Sequence, residues 1–167
     1  MDLYILRHGL AGVRSAVFPG GDSQRPLTVE GVEKMRRAAR GMKAMELSFD
    51  LILSSPYIRA KQTAEIVANV FGLEKKLEFL PALEADGNPK DLVEELRHRQ
   101  GKRKSVVLVG HEPYLGRLIS LLISGSTSLP ITLKKGGLCK LSIDAVRYGR
   151  CANLEWLLTP RQMRRMK

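Results

Sequence analysis

Short apolar runs alternate along this chain with longer segments whose apolar residues recur at helical spacing. That alternation predicts an α/β domain around a largely parallel sheet. Residues 3–6 read as a short buried strand, and a Gly-rich loop follows over 9–26. Thr28 is placed to cap a helix that carries Glu30 in its first turn and runs to about Glu46. Residues 50–54 predict a second strand. Pro56 is expected to open a helix reaching about Phe71, where Gly72 stops it. A short strand over 76–79 comes next, then a helix from Pro89 through Arg99. Residues 105–109 are rich in valine and form the clearest strand pattern. Pro113 opens a further helix that ends near Ser124 and Gly125, and residues 138–143 and 153–158 predict two late strands added antiparallel. No repeat or low-complexity linker divides the sequence. Residues 1–160 are therefore expected to form one domain, with 161–167 as a basic tail.

Three of these strands run directly into polar residues. The first leads into Arg7-His8-Gly9, the second into Ser54-Ser55-Pro56-Tyr57-Ile58-Arg59, the third into Gly110-His111-Glu112-Pro113. Ligands of open α/β sheets bind beyond the carboxyl ends of the strands. If the three strands are parallel neighbours, Arg7, His8, Arg59 and His111 converge on one pocket. Two guanidiniums and two imidazoles make an anion site, since arginine forks match phosphate oxygens, and two helix N-termini add to it. A histidine in a phosphate site points to covalent catalysis, because neutral imidazole is a good nucleophile once its tautomer is set by a hydrogen bond at the other nitrogen. The second histidine, protonated, and the arginines would stabilise charge on the transferring phosphoryl group. Arg25 is a further candidate for a phosphate contact, although a solvated or salt-bridged role is preferred for it. Ser54 and Ser55 lack the GxSxG setting of a nucleophile and read as loop and capping residues. No metal and no cofactor are expected, for want of an Asp/His cluster at ligand spacing. Cys139 and Cys151 read as two small, partly buried thiols.

Charge adds a second theme. The chain of 167 residues carries a formal net charge of +11, concentrated in the cluster 97–104 and over 161–167. Neither cluster interleaves aromatics for base stacking, so nucleic acid is not the favoured partner; solvated faces with a pull on anionic or phosphorylated proteins are. No apolar run approaches the ~20 residues needed to span a bilayer, and the start lacks a secretory signal pattern. A cytoplasmic location is expected.

The three blocks carry a family resemblance. Leu6-Arg7-His8-Gly9 resembles the RHG signature of the histidine phosphatase superfamily. Leu53-Ser54-Ser55-Pro56-Tyr57-Ile58-Arg59-Ala60-Lys61-Gln62-Thr63-Ala64 is similar to its second block, and Val109-Gly110-His111-Glu112-Pro113 to its third. The segment Arg25-Pro26-Leu27-Thr28-Val29-Glu30-Gly31 and the short chain resemble the small SixA-type phosphohistidine phosphatases. The resemblance spans roughly 1–160. It implies a three-layer α/β/α sandwich, phosphoglycerate mutase-like, with His8 as nucleophile, Arg7 and Arg59 binding phosphate, and His111 stabilising the transition state. Ester-cleaving relatives take a leaving-group acid from the stretch between the second and third blocks. Here that stretch is Leu83-Glu84-Ala85-Asp86-Gly87-Asn88-Pro89, short and without the usual acidic-aromatic-glycine form. Phosphohistidine on a protein, such as a histidine-phosphotransfer domain, is therefore the expected substrate. The alternative is a small-molecule phosphomonoesterase using Glu84 or Asp86 as acid.

Overall fold

A computed structural model describes residues 1–14 and 17–166. Positions 15 and 16 of the expected 9–26 loop, and 167 of the expected tail, lie outside the described residues. The strands are β1 (Asp2–Arg7), β2 (Leu51–Ser54), β3 (Leu77–Phe79), β4 (Ser105–Gly110), β5 (Leu138–Ile143) and β6 (Ala152–Leu158). They form one sheet in the order β3-β2-β4-β1-β5-β6. The first four are parallel, and β5 and β6 add antiparallel beside β1.

The helices are α1 (Val29–Ala44), α2 (Ile58–Phe71), α3 (Pro89–Arg99), α4 (Tyr114–Ser124) and a last turn, α5 (Pro160–Met163). Successive strand residues point to opposite faces, and the sheet divides the core accordingly. Leu3, Ile5, Leu51, Leu53, Val106 and Leu108 pack with Leu92, Leu96, Leu115 and Leu118 of α3 and α4. Tyr4, Leu6, Ile52, Val107 and Val109 pack with Met35, Ala38, Ala64 and Val67 of α1 and α2. Both faces of the inner parallel strands β1, β2 and β4 are therefore covered, which is why their central residues are apolar, while the edge strand β3 leaves Glu78 and Phe79 exposed. The expected α/β/α layering is present.

Local chemistry sets the ends. The Thr28 side chain accepts from Gly31 N (2.9 Å), closing the first turn of α1. Gly72 takes a left-handed conformation (φ 67°) and ends α2. Two expectations shift. α2 starts at Ile58 rather than at Pro56, because Ser55 Oγ accepts from Tyr57 N (3.3 Å) and forms a turn between strand and helix. The basic C-terminal segment is not loose along its length: Thr159 and Gln162 form a capping box, and Met163 is fully buried against α1. A Cβ on Gly41 of α1 would collide with the Met163 carbonyl, so that glycine is what lets the last turn lie down on the helix.

Candidate active site

β2, β4 and β1 are adjacent and parallel, so the three polar segments leave the same edge of the sheet side by side. His8 N donates to Gly110 O (3.0 Å) and Ser55 N to Val109 O (2.9 Å), which extends the ladder into the site. The segments surround a cavity of about 480 Å³ lined by Arg7, His8, Arg25, Arg59 and His111, together with Asp22 and Lys135. All five residues expected from sequence thus meet in one place.

His8 Nδ1 lies 2.7 Å from Gly9 O. A carbonyl only accepts, so Nδ1 carries the hydrogen and Nε2 keeps its lone pair. Arg59 Nε approaches that Nε2 at 3.3 Å. The loop holding His8 is tied to α2 through Thr63, whose Oγ accepts from Gly9 N (3.0 Å) and donates to Arg59 O (2.7 Å). Arg7 is held on the other side by NH1 donating to Leu133 O (2.8 Å). The rings of His8 and His111 are 5.2 Å apart.

His111 Nε2 sits 2.8 Å from Ser55 Oγ. Because that oxygen already accepts from Tyr57 N, its own hydrogen is free to donate to Nε2, and the His111 hydrogen then belongs on Nδ1. Nδ1 is buried and has no partner, as has Arg7 Nε. Two buried donors without acceptors, on side chains that line the same cavity, are what an oxyanion would satisfy.

Asp22, at the start of a short 3-10 turn (Asp22–Gln24) in the first loop, organises the arginines. Its Oδ2 accepts from Arg59 NH2 (3.0 Å), its backbone oxygen from Arg59 NH1 (2.7 Å), and its Oδ1 from Arg25 Nε (2.8 Å). Partial burial opposes ionisation of Asp22, but the Arg25 hydrogen bond and the charges of Arg59 and Arg25 outweigh it and hold the carboxyl below its ordinary value. Arg25 is salt-bridged as preferred, and it also faces the cavity.

Both imidazoles are neutral in the free site. Burial, aided by His111, Arg59 and Arg7 and opposed by the Gly9 hydrogen bond, lowers His8 from 6.5 to about 3. Burial, then Arg59, opposed by Asp22 and aided by Arg25 and Arg7, lowers His111 to about 3. A neutral His8 suits a nucleophile. His111, surrounded by guanidiniums and buried, is neutral in the free site, where Nδ1–H can still donate to an anion; the protonated ring expected from sequence belongs to the site with a phosphoryl group bound, whose negative charge favours the imidazolium. Each imidazole binds its proton more weakly folded than unfolded, so the unfolded chain takes up protons first as the pH falls. Stability should be intact above about pH 6.5 and drop towards pH 3, by up to ~1.4 kcal/mol per pH unit for each ring. Urea midpoints at pH 7 and pH 4.5 should converge in His111→Asn relative to the unmodified chain. An equal spread in both would contradict buried neutral rings.

Glu84 and Asp86 do not line this cavity; Ala85 between them does. Asp86 lines a neighbouring cavity with Tyr114 and Arg117. Among the described residues no three His, Cys, Asp or Glu side chains cluster as a metal site would require, and no helix is long and apolar enough to cross a membrane. Sequence reasoning missed Asp22 and Lys135. Asp22 had a faint signal in its i, i+3 spacing to Arg25; Lys135 had none.

An RHG strand end facing a GHEP strand end across β1 and β4, with an arginine from the first turn of α2, defines a histidine phosphatase site. The profile of the histidine phosphatase superfamily (branch 1) matches residues 3–84. Phosphohistidine phosphatase SixA of Escherichia coli is 29% identical over 100% of this chain and 99% of its own length. The SixA homolog of Haemophilus influenzae is 31% identical over 73% of this chain and 77% of its own. A solved structure of the protein histidine phosphatase SixA complexed with tungstate superposes with a TM-score of 0.84 at 28% identity, covering 98% of this chain and 99% of that one. The chain belongs to the histidine phosphatase superfamily and, within it, to the SixA-type phosphatases.

Proposed function

We propose that this protein hydrolyses phosphohistidine on a protein partner through a covalent phosphohistidine on His8. The observation that carries the reading is His8 Nε2: unprotonated, buried and 3.3 Å from Arg59 Nε in a cavity lined by arginines. Nε2 attacks the phosphorus and forms a P–N bond as the bond to the departing imidazole breaks. Water then attacks the phosphorus of phospho-His8, releasing phosphate and restoring the neutral ring. Arg7 and Arg59 neutralise the phosphoryl oxygens, with Arg25 at the rim, while His111 Nδ1 and Arg7 Nε donate to them. The tungstate held by the similar SixA structure is an oxyanion, the kind of ligand this arrangement takes.

The substrate follows from the leaving group. A general acid contributes ~10²–10⁴-fold when the departing group is basic. Asp22 borders the cavity but is held ionised by two arginines. The Glu112 carboxylate lines it as well and accepts from Leu133 N (2.9 Å) and Gly116 N (3.3 Å). With Glu84 and Asp86 off the cavity, no carboxyl among the described residues is poised there to protonate an alkoxide. A phosphohistidine ring that carries a proton on its other nitrogen departs as neutral imidazole without that help. The relatives named for phosphohistidine support the same choice. We place residues 1–160, with the turn that buries Met163 packed on them, in one catalytic domain working in a soluble compartment, the cytoplasm.

The test is kcat/KM on a phosphorylated histidine-phosphotransfer domain against kcat/KM on phosphoserine and sugar phosphates. The protein substrate should win by ~10²-fold or more, the size of the missing acid contribution, and Glu84→Gln and Asp86→Asn should barely change either. A ratio at or below one, with a large Glu84→Gln loss on the esters alone, would make the protein a small-molecule phosphatase.

A further inference from the structure

We propose that Arg161, Arg164 and Arg165 of the C-terminal turn, with Arg37 of α1 and Lys134 and Lys135 at the cavity mouth, form a docking surface for an acidic face of the phosphoprotein substrate. The inference rests on the function proposed above and names the surface its substrate would meet.

The sequence contains two basic clusters, and the structure treats them differently. In the first, Arg99 is bonded to Glu78 (2.8 Å) and Glu95, and Arg97 to Glu94 (3.2 Å). Arg97 and Arg99, the two helical arginines of that cluster, are thus neutralised within the fold, whereas Lys102, Arg103 and Lys104 beyond the helix end form no ion pair among the described residues. In the second, the four arginines converge around a shallow cavity of about 250 Å³. Arg37 pairs with Glu33 (3.0 Å), whereas Arg161, Arg164 and Arg165 form no salt bridge among the described residues, the Glu30 carboxylate, itself bonded to Lys34, acting on Arg164 only at longer range. Gathering like charges costs folding free energy. Burying Met163 requires one apolar side chain, not three unpaired arginines around it.

The arginines are held on an ordered support. The Thr159–Gln162 capping box and the buried Met163 fix the turn, and Arg164 Nε donates to Pro160 O (3.2 Å). The surface also continues to the active site. A Cβ built on Gly136 would contact Pro160 at 3.5 Å, and Gly136 N donates to Arg7 O and His8 O. The next residue back, Lys135, lines the catalytic cavity beside the exposed Lys134. On the other side, Leu10 of the cavity wall bonds through its carbonyl to Thr28 N, the cap of α1. Positive charge therefore runs from the mouth to the arginine cluster, beyond the reach of a small substrate lodged on His8. A folded partner presenting its phosphohistidine to the cavity would lay its neighbouring surface there, and carboxylates on that surface complete the match. Four arginines without an aromatic around the cluster favour carboxylates over stacked bases.

The experiment uses Arg161→Glu/Arg165→Glu, which leaves Met163 and the catalytic residues untouched, and a histidine-phosphotransfer domain of net negative charge as probe. Binding of the unphosphorylated domain at low salt should weaken ~10-fold or more, and the difference should shrink as salt rises. Turnover of p-nitrophenyl phosphate should stay within about two-fold, and Arg161→Lys/Arg165→Lys should bind the domain as the unmodified protein does. Equal affinities for the unmodified and charge-reversed proteins would overturn the proposal. So would absence of binding to the unmodified protein, a parallel fall in p-nitrophenyl phosphate turnover, or a loss confined to RNA binding. If the unmodified protein binds the domain in a charge-dependent way yet leaves its phosphohistidine intact, the surface stands and the substrate reading fails.

Discussion

His8→Ala should lower turnover of p-nitrophenyl phosphate at least ~10⁴-fold, the scale on which removal of a catalytic nucleophile acts. The aryl substrate isolates the nucleophile, since its leaving group needs no acid and docking plays no part. The size of the effect follows from how much of the site serves this atom. The Gly9 carbonyl sets the tautomer, Thr63 ties the loop to α2, and burial keeps the ring neutral. The replacement opens space for water but leaves no acceptor for the phosphoryl group. Residual activity within 100-fold of the unmodified protein would mean that another group, such as Ser55, can take the phosphate.

Arg59→Ala should cost ~10²–10³-fold in kcat on the same substrate, as loss of one preorganised donor does, and Arg59→Lys should recover little of it. Arg59 is 3% exposed and spends three nitrogens: Nε on His8, and NH1 and NH2 on Asp22. Lysine restores a charge but not the fork that places it. The alanine change also strips Asp22 of its closest partner besides Arg25, leaving a less balanced carboxylate beside the incoming anion. Recovery by lysine to within a few-fold would show that positive charge alone, without geometry, is what the site requires.

Much of this site was legible in the sequence because its residues follow apolar runs directly. Arg7-His8 after β1, Ser54-Ser55 after β2 and His111 after β4 could be placed at one sheet edge once the strands were read as parallel neighbours. Arg59 followed from its position in the first turn of α2. Asp22 was not legible as a site residue. It sits in a loop without periodicity, and its contact with Arg59 spans 37 positions. Met163 was hidden for a similar reason: a single apolar residue among arginines carries no pattern, and its burial depends on Gly41 in a distant helix. The charge state of His111 lay beyond sequence as well, because it depends on depth and on which guanidiniums surround the ring. β4 was anticipated by its run of β-branched residues, and β3 and both late strands were placed as well, whereas the start of α2 moved because a serine side chain, not a proline ring, governs the turn.

The covalent step is the centre of the account, and rapid-quench trapping with ³²P-labelled phosphohistidine protein tests it most directly. The label should appear on the enzyme within one turnover, survive alkali, disappear in acid, and map to the peptide containing His8. Label that survives acid and maps to Ser54 or Ser55, or direct release of phosphate with no labelled enzyme at any quench time, would contradict it.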